Sequence, residues 1–114
     1  LDPLVFFAYS ADLVLAAQET IPQLYLSTPE LRDRQCDIAF GHSASRTLMD
    51  EVAGRIGLLD RAVNLYAEIG NCVSASVPAA MGITIEQGRL KRDMRMLFLV
   101  GSAGFSAGIC HMVY

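Results

Sequence analysis

Met96-Leu97-Phe98-Leu99-Val100-Gly101-Ser102-Ala103-Gly104, continued by Phe105-Ser106-Ala107-Gly108-Ile109-Cys110-His111-Met112-Val113-Tyr114, decides between two kinds of molecule. Nothing in it is charged at pH 7 with histidine neutral, and a helix rising ~1.5 Å per residue over that length would nearly cross a bilayer core. Gly104 and Gly108 also show the G-x-x-x-G spacing of membrane helix contacts. The competing reading is a hairpin of two buried strands, Met96–Val100 and Phe105–Tyr114, punctuated by Gly101–Gly104. Gly101, Ser102, Gly104, Ser106, Gly108 and His111 make a poor lipid-facing helix, whereas short apolar runs parted by glycine read as core strands. The hairpin is the expected structure, with no membrane span.

Working back from the hairpin, strands alternate with helices. A basic cluster, Arg89, Lys91, Arg92 and Arg95, precedes it and reads as a solvated helix end complementing the helix dipole. Before that, a Ser/Ala-rich helix is expected from about Ser74 to Gln87, stopped by Gly88, after a turn at Glu68-Ile69-Gly70-Asn71. Ala62–Tyr66 is expected as a strand. Leu48, Met49, Val52 and Ile56 recur at helical spacing, with Ser43 or Ser45 as cap and Gly57 as stop. Cys36–Phe40 is a strand ended by Gly41-His42. Leu13, Ala17, Ile21 and Leu24 mark a helix face, with Ser10 or Asp12 as cap and Pro22 expected to kink or shorten it. Leu4–Tyr9 is a β-prone run after Pro3. The order β-α-β-α-β-α-β-β gives an α/β fold with a mixed five-stranded sheet, mostly parallel, whose last strand runs antiparallel to its neighbour.

Size and composition agree. The 114 residues make one domain, 53% are hydrophobic and 18% charged, and the net charge is −3. These values exclude a disordered chain and argue against a nucleic-acid binder working through a broad basic face. Three cysteines without a C-x-x-C pair give neither a disulfide framework nor a zinc signature, so no metal is expected and a reduced, cytoplasmic setting is. The apolar composition implies a face covered by a missing half or a partner chain. The start at Leu1 fits a fragment or processed product.

In mostly parallel sheets functional groups gather where strands end. His42 follows the second expected strand and Asn71 the third. Asp37-Ile38-Ala39-Phe40-Gly41-His42 resembles the strand leading to the active-site histidine of 3-oxoacyl-[acyl-carrier-protein] synthase III (ketoacyl synthase III), in the thiolase superfamily. Gly70-Asn71-Cys72-Val73-Ser74-Ala75-Ser76-Val77-Pro78 resembles that family's Gly-Asn-Thr-Ser-Ala-Ala-Ser-Ile-Pro segment, and Leu99 to Gly108 resembles its Gly-rich closing hairpin. The likeness covers about Asp37 to Tyr114, while Leu1–Gln35 matches in element type alone.

The resemblance implies the C-terminal half of a thiolase-like fold and decarboxylative Claisen condensation of an acyl thioester with malonyl-ACP. On the family's pattern His42 and Asn71 are catalytic, donating to the enolate oxygen. Gly101, Gly104, Ser43 and Arg46 would bind substrate, the Gly-rich turn letting backbone approach the thioester closely. Acyl-CoA and malonyl-ACP are substrates and no cofactor is implied. The implied partners are acyl carrier protein or CoA thioesters and the N-terminal half of the same enzyme, in a homodimer when full length. Arg46 and Arg55, like the basic cluster, are candidate contacts for an acidic carrier or CoA phosphates.

The family's nucleophile is a cysteine in the N-terminal half, and nothing here occupies its place. Cys36 starts a strand, Cys110 lies in the last strand, and Cys72 matches a threonine-like position beside Asn71. Alone, the chain is therefore expected to be inactive. His42-Ser43-Ala44-Ser45 departs from the family's His-Gln-Ala-Asn, leaving the pathway open between fatty acid and polyketide synthesis. His111 reads as structural. The alternatives are a non-catalytic interaction or split-subunit module with a degenerate thiolase-like fold, and a small membrane protein.

Overall fold

The computed structural model describes residues 10–42, 45–102 and 105–114. The expected first strand, Leu4–Tyr9, lies outside them, as do Ser43 and Gly104. The described elements are α1 (Ser10–Leu26), α2 (Pro29–Arg32), β1 (Ile38–Gly41), α3 (Leu48–Arg55), α4 (Tyr66–Ile69), α5 (Ser76–Glu86), β2 (Arg95–Ser102) and β3 (Ser106–Val113), with single 3-10 turns at Leu59–Arg61 and Val73–Ala75.

The sheet runs β1-β2-β3. β1 lies parallel to β2, with Phe40 opposite Phe98, and β2 pairs antiparallel with β3 from Arg95↔Val113 to Ser102↔Ser106. The apolar tail is thus a hairpin, and no helix among the described residues is long and apolar enough to cross a membrane.

Two-residue periodicity sorts β1 and β2 between two cores. Ala39, Leu97 and Leu99 pack with α1 and α3 residues such as Ala17, Ile21, Met49 and Val52. Ile38, Phe40 and Met96 pack on the other face with Val63, Leu65, Ala80 and Leu90. Cover on both faces explains why these strands read as unbroken apolar runs. The Phe40 and Phe98 rings stack with centroids 5.7 Å apart.

The expected third strand does not form. Ala62 makes one isolated parallel bridge with Ala39, and the Val63 N–H donates to the Ala39 carbonyl at 2.8 Å. Asn64 then diverts the chain: its Oδ1 accepts the Tyr66 N–H at 3.2 Å, a local bond that competes with strand pairing, and α4 begins. Three strands and this bridge therefore stand among the described residues where five strands were expected.

Pro22 does not shorten its helix, which continues to Leu26. An interior proline deprives the carbonyl four residues earlier of its partner. That carbonyl, on Gln18, instead accepts Arg55 Nη1 at 2.6 Å, so α3 supplies the donor that α1 lacks. The buried stripe of α1 runs through Ala17 and Ile21 to Tyr25, leaving Leu24 exposed. Gly57 and Gly88, at φ of 75° and 72°, stop α3 and α5 as expected. Beyond them the Leu58 and Arg89 N–H groups return to the Ala53 and Thr84 carbonyls at 2.8 Å.

Candidate functional site

At the carboxyl end of β1 the chain encloses a cavity of about 460 Å³. Its buried floor is built by Ala17 and Ile21 of α1, Leu48, Met49 and Val52 of α3, and Leu99 of β2. Its rim holds His42, Asn71, Val73, Gly101, Ser102 and Phe105. Among the described residues no charged side chain lines it. His42 and Asn71, expected to converge, therefore face one space, joined there by Gly101. The ideal Cβ position of Gly101 lies 3.3 Å from the Phe105 ring and 3.6 Å from Ile21 Cδ1, so the missing side chain lets that ring close over the sheet edge.

His42 is half-buried and Asn71 exposed. Asn71 sits after α4, past Gly70, which takes φ of 64°. Its Oδ1 accepts the Val73 N–H at 2.8 Å. That bond assigns the amide orientation and turns the NH2 group, a pure donor, to other use. The turn is held by one further bond and carries one strained residue. Ser76, fully buried, accepts the Cys72 N–H on Oγ at 3.1 Å, and Val73 adopts φ of 54°, rare for a β-branched residue.

Arg46 is exposed and outside the cavity lining, its guanidinium 6.0 Å from the Tyr66 ring centre. Its carbonyl accepts Asn64 Nδ2 at 2.8 Å. Asn64 thereby ties the loop after His42 to the start of α4, which leads to Asn71. Ser45 rather than Thr47 caps α3 by side chain, accepting the Leu48 N–H at 3.1 Å. Asn64 and Ser76 were not singled out from the sequence; a polar residue within an otherwise apolar stretch was the available signal for Asn64, whereas Ser76 lies in a Ser/Ala-rich run.

The three thiols point elsewhere. Cys36 is buried, bonds the Ile38 carbonyl, and burial pushes its pKa up. Cys72 Sγ donates to the Ile69 carbonyl, and Cys110 is exposed on β3. Because Gln35 offers a carbonyl, His111 Nε2 is the donor in their 3.2 Å bond, a structural role. The basic cluster is dispersed: Arg95 engages Asp37 and Gln35, and Arg92 lies 4.2 Å from the Tyr114 ring centre. Among the described residues no three His, Cys, Asp or Glu side chains are grouped to hold a metal ion.

A mixed sheet covered on both faces thus carries an imidazole and a carboxamide facing one apolar space at its edge. Residues 26–114 match the family described as 3-Oxoacyl-[acyl-carrier-protein (ACP)] synthase III C terminal, and the chain belongs to that family. It is 30% identical over 81 residues to the beta-ketoacyl-[acyl-carrier-protein] synthase III of Synechocystis, covering 70% of this chain and 23% of that protein. The Neisseria meningitidis serogroup C synthase III of the same name is 31% identical over 81 residues, 70% of this chain and 25% of its own. The crystal structure of 3-oxoacyl-(acyl carrier protein) synthase III from Pseudomonas aeruginosa superposes with a TM-score of 0.86 at 22% identity, over 100% of this chain and 38% of that one. The chain thus spans about a quarter of the length of the curated relatives it matches.

Proposed function

We propose that this chain is the C-terminal catalytic half of a 3-oxoacyl-ACP synthase III-type acyltransferase, working in fatty acid or polyketide synthesis. The observation that supports this most is the meeting of His42 and Asn71 at the rim of one uncharged cavity, with the Asn71 oxygen already engaged by Val73. In the first stage a cysteine thiolate supplied by the N-terminal half attacks an acyl-CoA, the thioester C–S bond breaks, and CoA leaves as its thiol. In the second, the C–C bond to the malonyl carboxylate breaks, CO2 leaves, and the electron pair moves onto the thioester oxygen as an enolate. The His42 imidazole N–H and the Asn71 NH2 donate to that oxygen; neither adds a competing proton transfer. The enolate carbon then attacks the acyl carbonyl and the cysteine thiolate leaves. The lack of charged lining suits an acyl chain and favours the donors, because a drier site strengthens each hydrogen bond.

Acyl carrier protein or CoA delivers the thioesters, and the full-length enzyme is a cytoplasmic homodimer. Gly101, Ser43 and Gly104 contact the bound thioester, while Arg46, outside the cavity, serves the carrier's phosphate. No cofactor takes part.

The test joins this chain with a cysteine-bearing N-terminal half and measures CO2 release from malonyl-ACP. His42→Ala and Asn71→Ala are each expected to slow it by about 10²–10³-fold, as for removal of one oxyanion donor. Unchanged rates in both variants would refute the assignment.

A further inference from the structure

A groove of about 410 Å³ opens at the amino end of β1, the end away from His42. Its floor is made by the buried side chains of Tyr25, Cys36, Ile56 and Leu58. Arg32, Arg34, Arg61 and Arg95 line it, with a single carboxylate, Asp37. Four of the chain's nine Lys and Arg residues thus converge on one place in a protein of net charge −3. They come from three separate stretches: the end of α2 and the loop after it, the turn Leu59–Arg61, and the first residue of β2. Like charges gathered in a cleft repel one another and draw anions into it.

Two of the four are fully bonded. Arg95 gives Nε, Nη1 and Nη2 to Asp37 and Gln35, and Arg32 gives its three nitrogens to Asp33 and the Leu26 carbonyl. Arg61 and Arg34 differ. Arg61 Nη1 stands 3.8 Å from Asp60, too far for a hydrogen bond, and that carboxylate is 75% exposed to water. Arg34 makes no ion pair among the described residues. Gln35 adds a third donor, because its Oε1 accepts Arg95 Nη1 and its NH2 group is left over.

We propose that this groove binds a phosphomonoester of a small molecule, its phosphoryl oxygens held by Arg34, Arg61 and the Gln35 amide. A phosphomonoester carries nearly two negative charges at neutral pH and is drawn harder than a carboxylate by the same field. Its three terminal oxygens suit forked guanidinium donors. The volume is that of a small-molecule site rather than of a bare ion, so an organic part rests over Ile56 and Leu58. The groove is separate from the cavity beside His42, and the proposal does not depend on the acyl chemistry read there.

The 15N-labelled chain is titrated with inorganic phosphate, ribose 5-phosphate and acetate, with chloride holding the ionic strength constant. The Arg34 and Arg61 Nε–H signals in its NMR spectrum are expected to move with both phosphates and far less with acetate. Ribose 5-phosphate should bind tighter than phosphate, because its sugar fills space that the bare ion leaves. Arg34→Gln and Arg61→Gln should each weaken binding about tenfold, as for loss of a charged hydrogen-bond partner. Arg89→Gln removes the same charge from an exposed residue outside the groove and should leave affinity within about twofold, because salt screens it. Should a variant fail to fold, the two wild-type signals decide alone. Silent Arg34 and Arg61 signals, an equal response to acetate, or an equal loss in Arg89→Gln overturns the site. Equal affinity for phosphate and ribose 5-phosphate overturns the organic part and assigns the groove to free phosphate.

Discussion

The two ends of β1 are built on opposite principles. At its amino end lies a polar groove of about 410 Å³ lined by Arg34, Cys36, Asp37, Arg61 and Arg95 among others. There polar groups engage one another: Asp37 accepts the Arg95 backbone N–H at 2.7 Å and its guanidinium at 2.9 and 3.0 Å, and Gln35 Oε1 accepts Arg95 Nη1 at 2.6 Å. At the carboxyl end the cavity is apolar, an imidazole and a carboxamide line its rim, and the turn that carries Asn71 contains a β-branched residue at positive φ. One end closes Asp37, Gln35 and Arg95 on one another to hold strands together. The other keeps donors open toward a space, which requires that neighbouring bonds aim them.

That contrast breaks most severely at Ser76. Ser76→Ala strands the Cys72 N–H beneath the Asn71 turn without adding any charge or bulk. A loss of about 1–3 kcal/mol in urea unfolding is expected, the usual cost of removing one partner of a buried hydrogen bond. If stability is unchanged, the turn is held by something other than this hydroxyl.

Val73 sharpens the comparison in the opposite direction. Its side chain is 67% exposed, so little packing compensates for its left-handed backbone. Val73→Gly removes the steric conflict at some cost in unfolded-chain entropy, and a net gain of about 1 kcal/mol in thermal unfolding is expected. On the proposed function, the same change loosens the partner of Asn71 Oδ1, so CO2 release by the chain joined with its N-terminal half should fall as stability rises. A variant that loses stability would show that the carboxyl end stores no strain.

How far the sequence was legible follows from the range of each interaction. The hairpin, the alternation through Ile38, Ala39 and Phe40, and the stops at Gly57 and Gly88 depend on neighbours or on simple periodicity, and all are visible in the chain. Pro22 misled because its compensation comes from Arg55, on another helix. Ala62–Tyr66 misled because Asn64 looked like one polar residue in a strand, whereas its amide bonds both Tyr66 and the distant Arg46. His42 and Asn71 were found through a resemblance, since a histidine after a strand and an asparagine after a glycine are individually ordinary. Met49 was read correctly as core; its contact with Gly41 needed the strand and helix brought together. The roles expected of Ser43 and Gly104 lie outside the described residues.

The smallest expected effect lies at the amino end, where the pair of Asp37 and Arg95 is partly exposed, with side chains 32% and 40% accessible. Hydrogen bonding from the Arg95 guanidinium, then from its backbone N–H, holds the Asp37 carboxyl down from 3.8 to about 2. A depressed carboxyl contributes stability that is complete above the unfolded-state value and lost as pH falls through the folded one. The contribution is thus present above pH 3.8 and disappears toward about pH 2. Solvent screening at this exposure keeps it small. Asp37→Asn should lower the melting temperature slightly at neutral pH, and the difference should shrink as pH falls through about 2 and vanish below it, where the wild-type carboxyl is protonated too. Salt should narrow the neutral-pH difference, because water and ions reach both side chains. On the proposed function, acyl-pantetheine binding at the apolar cavity, which has no charged lining among the described residues, should show no matching salt response. If the Asp37→Asn difference persists unchanged at pH 2, the stabilisation at this end comes from carboxyl shape and hydrogen bonding rather than from charge.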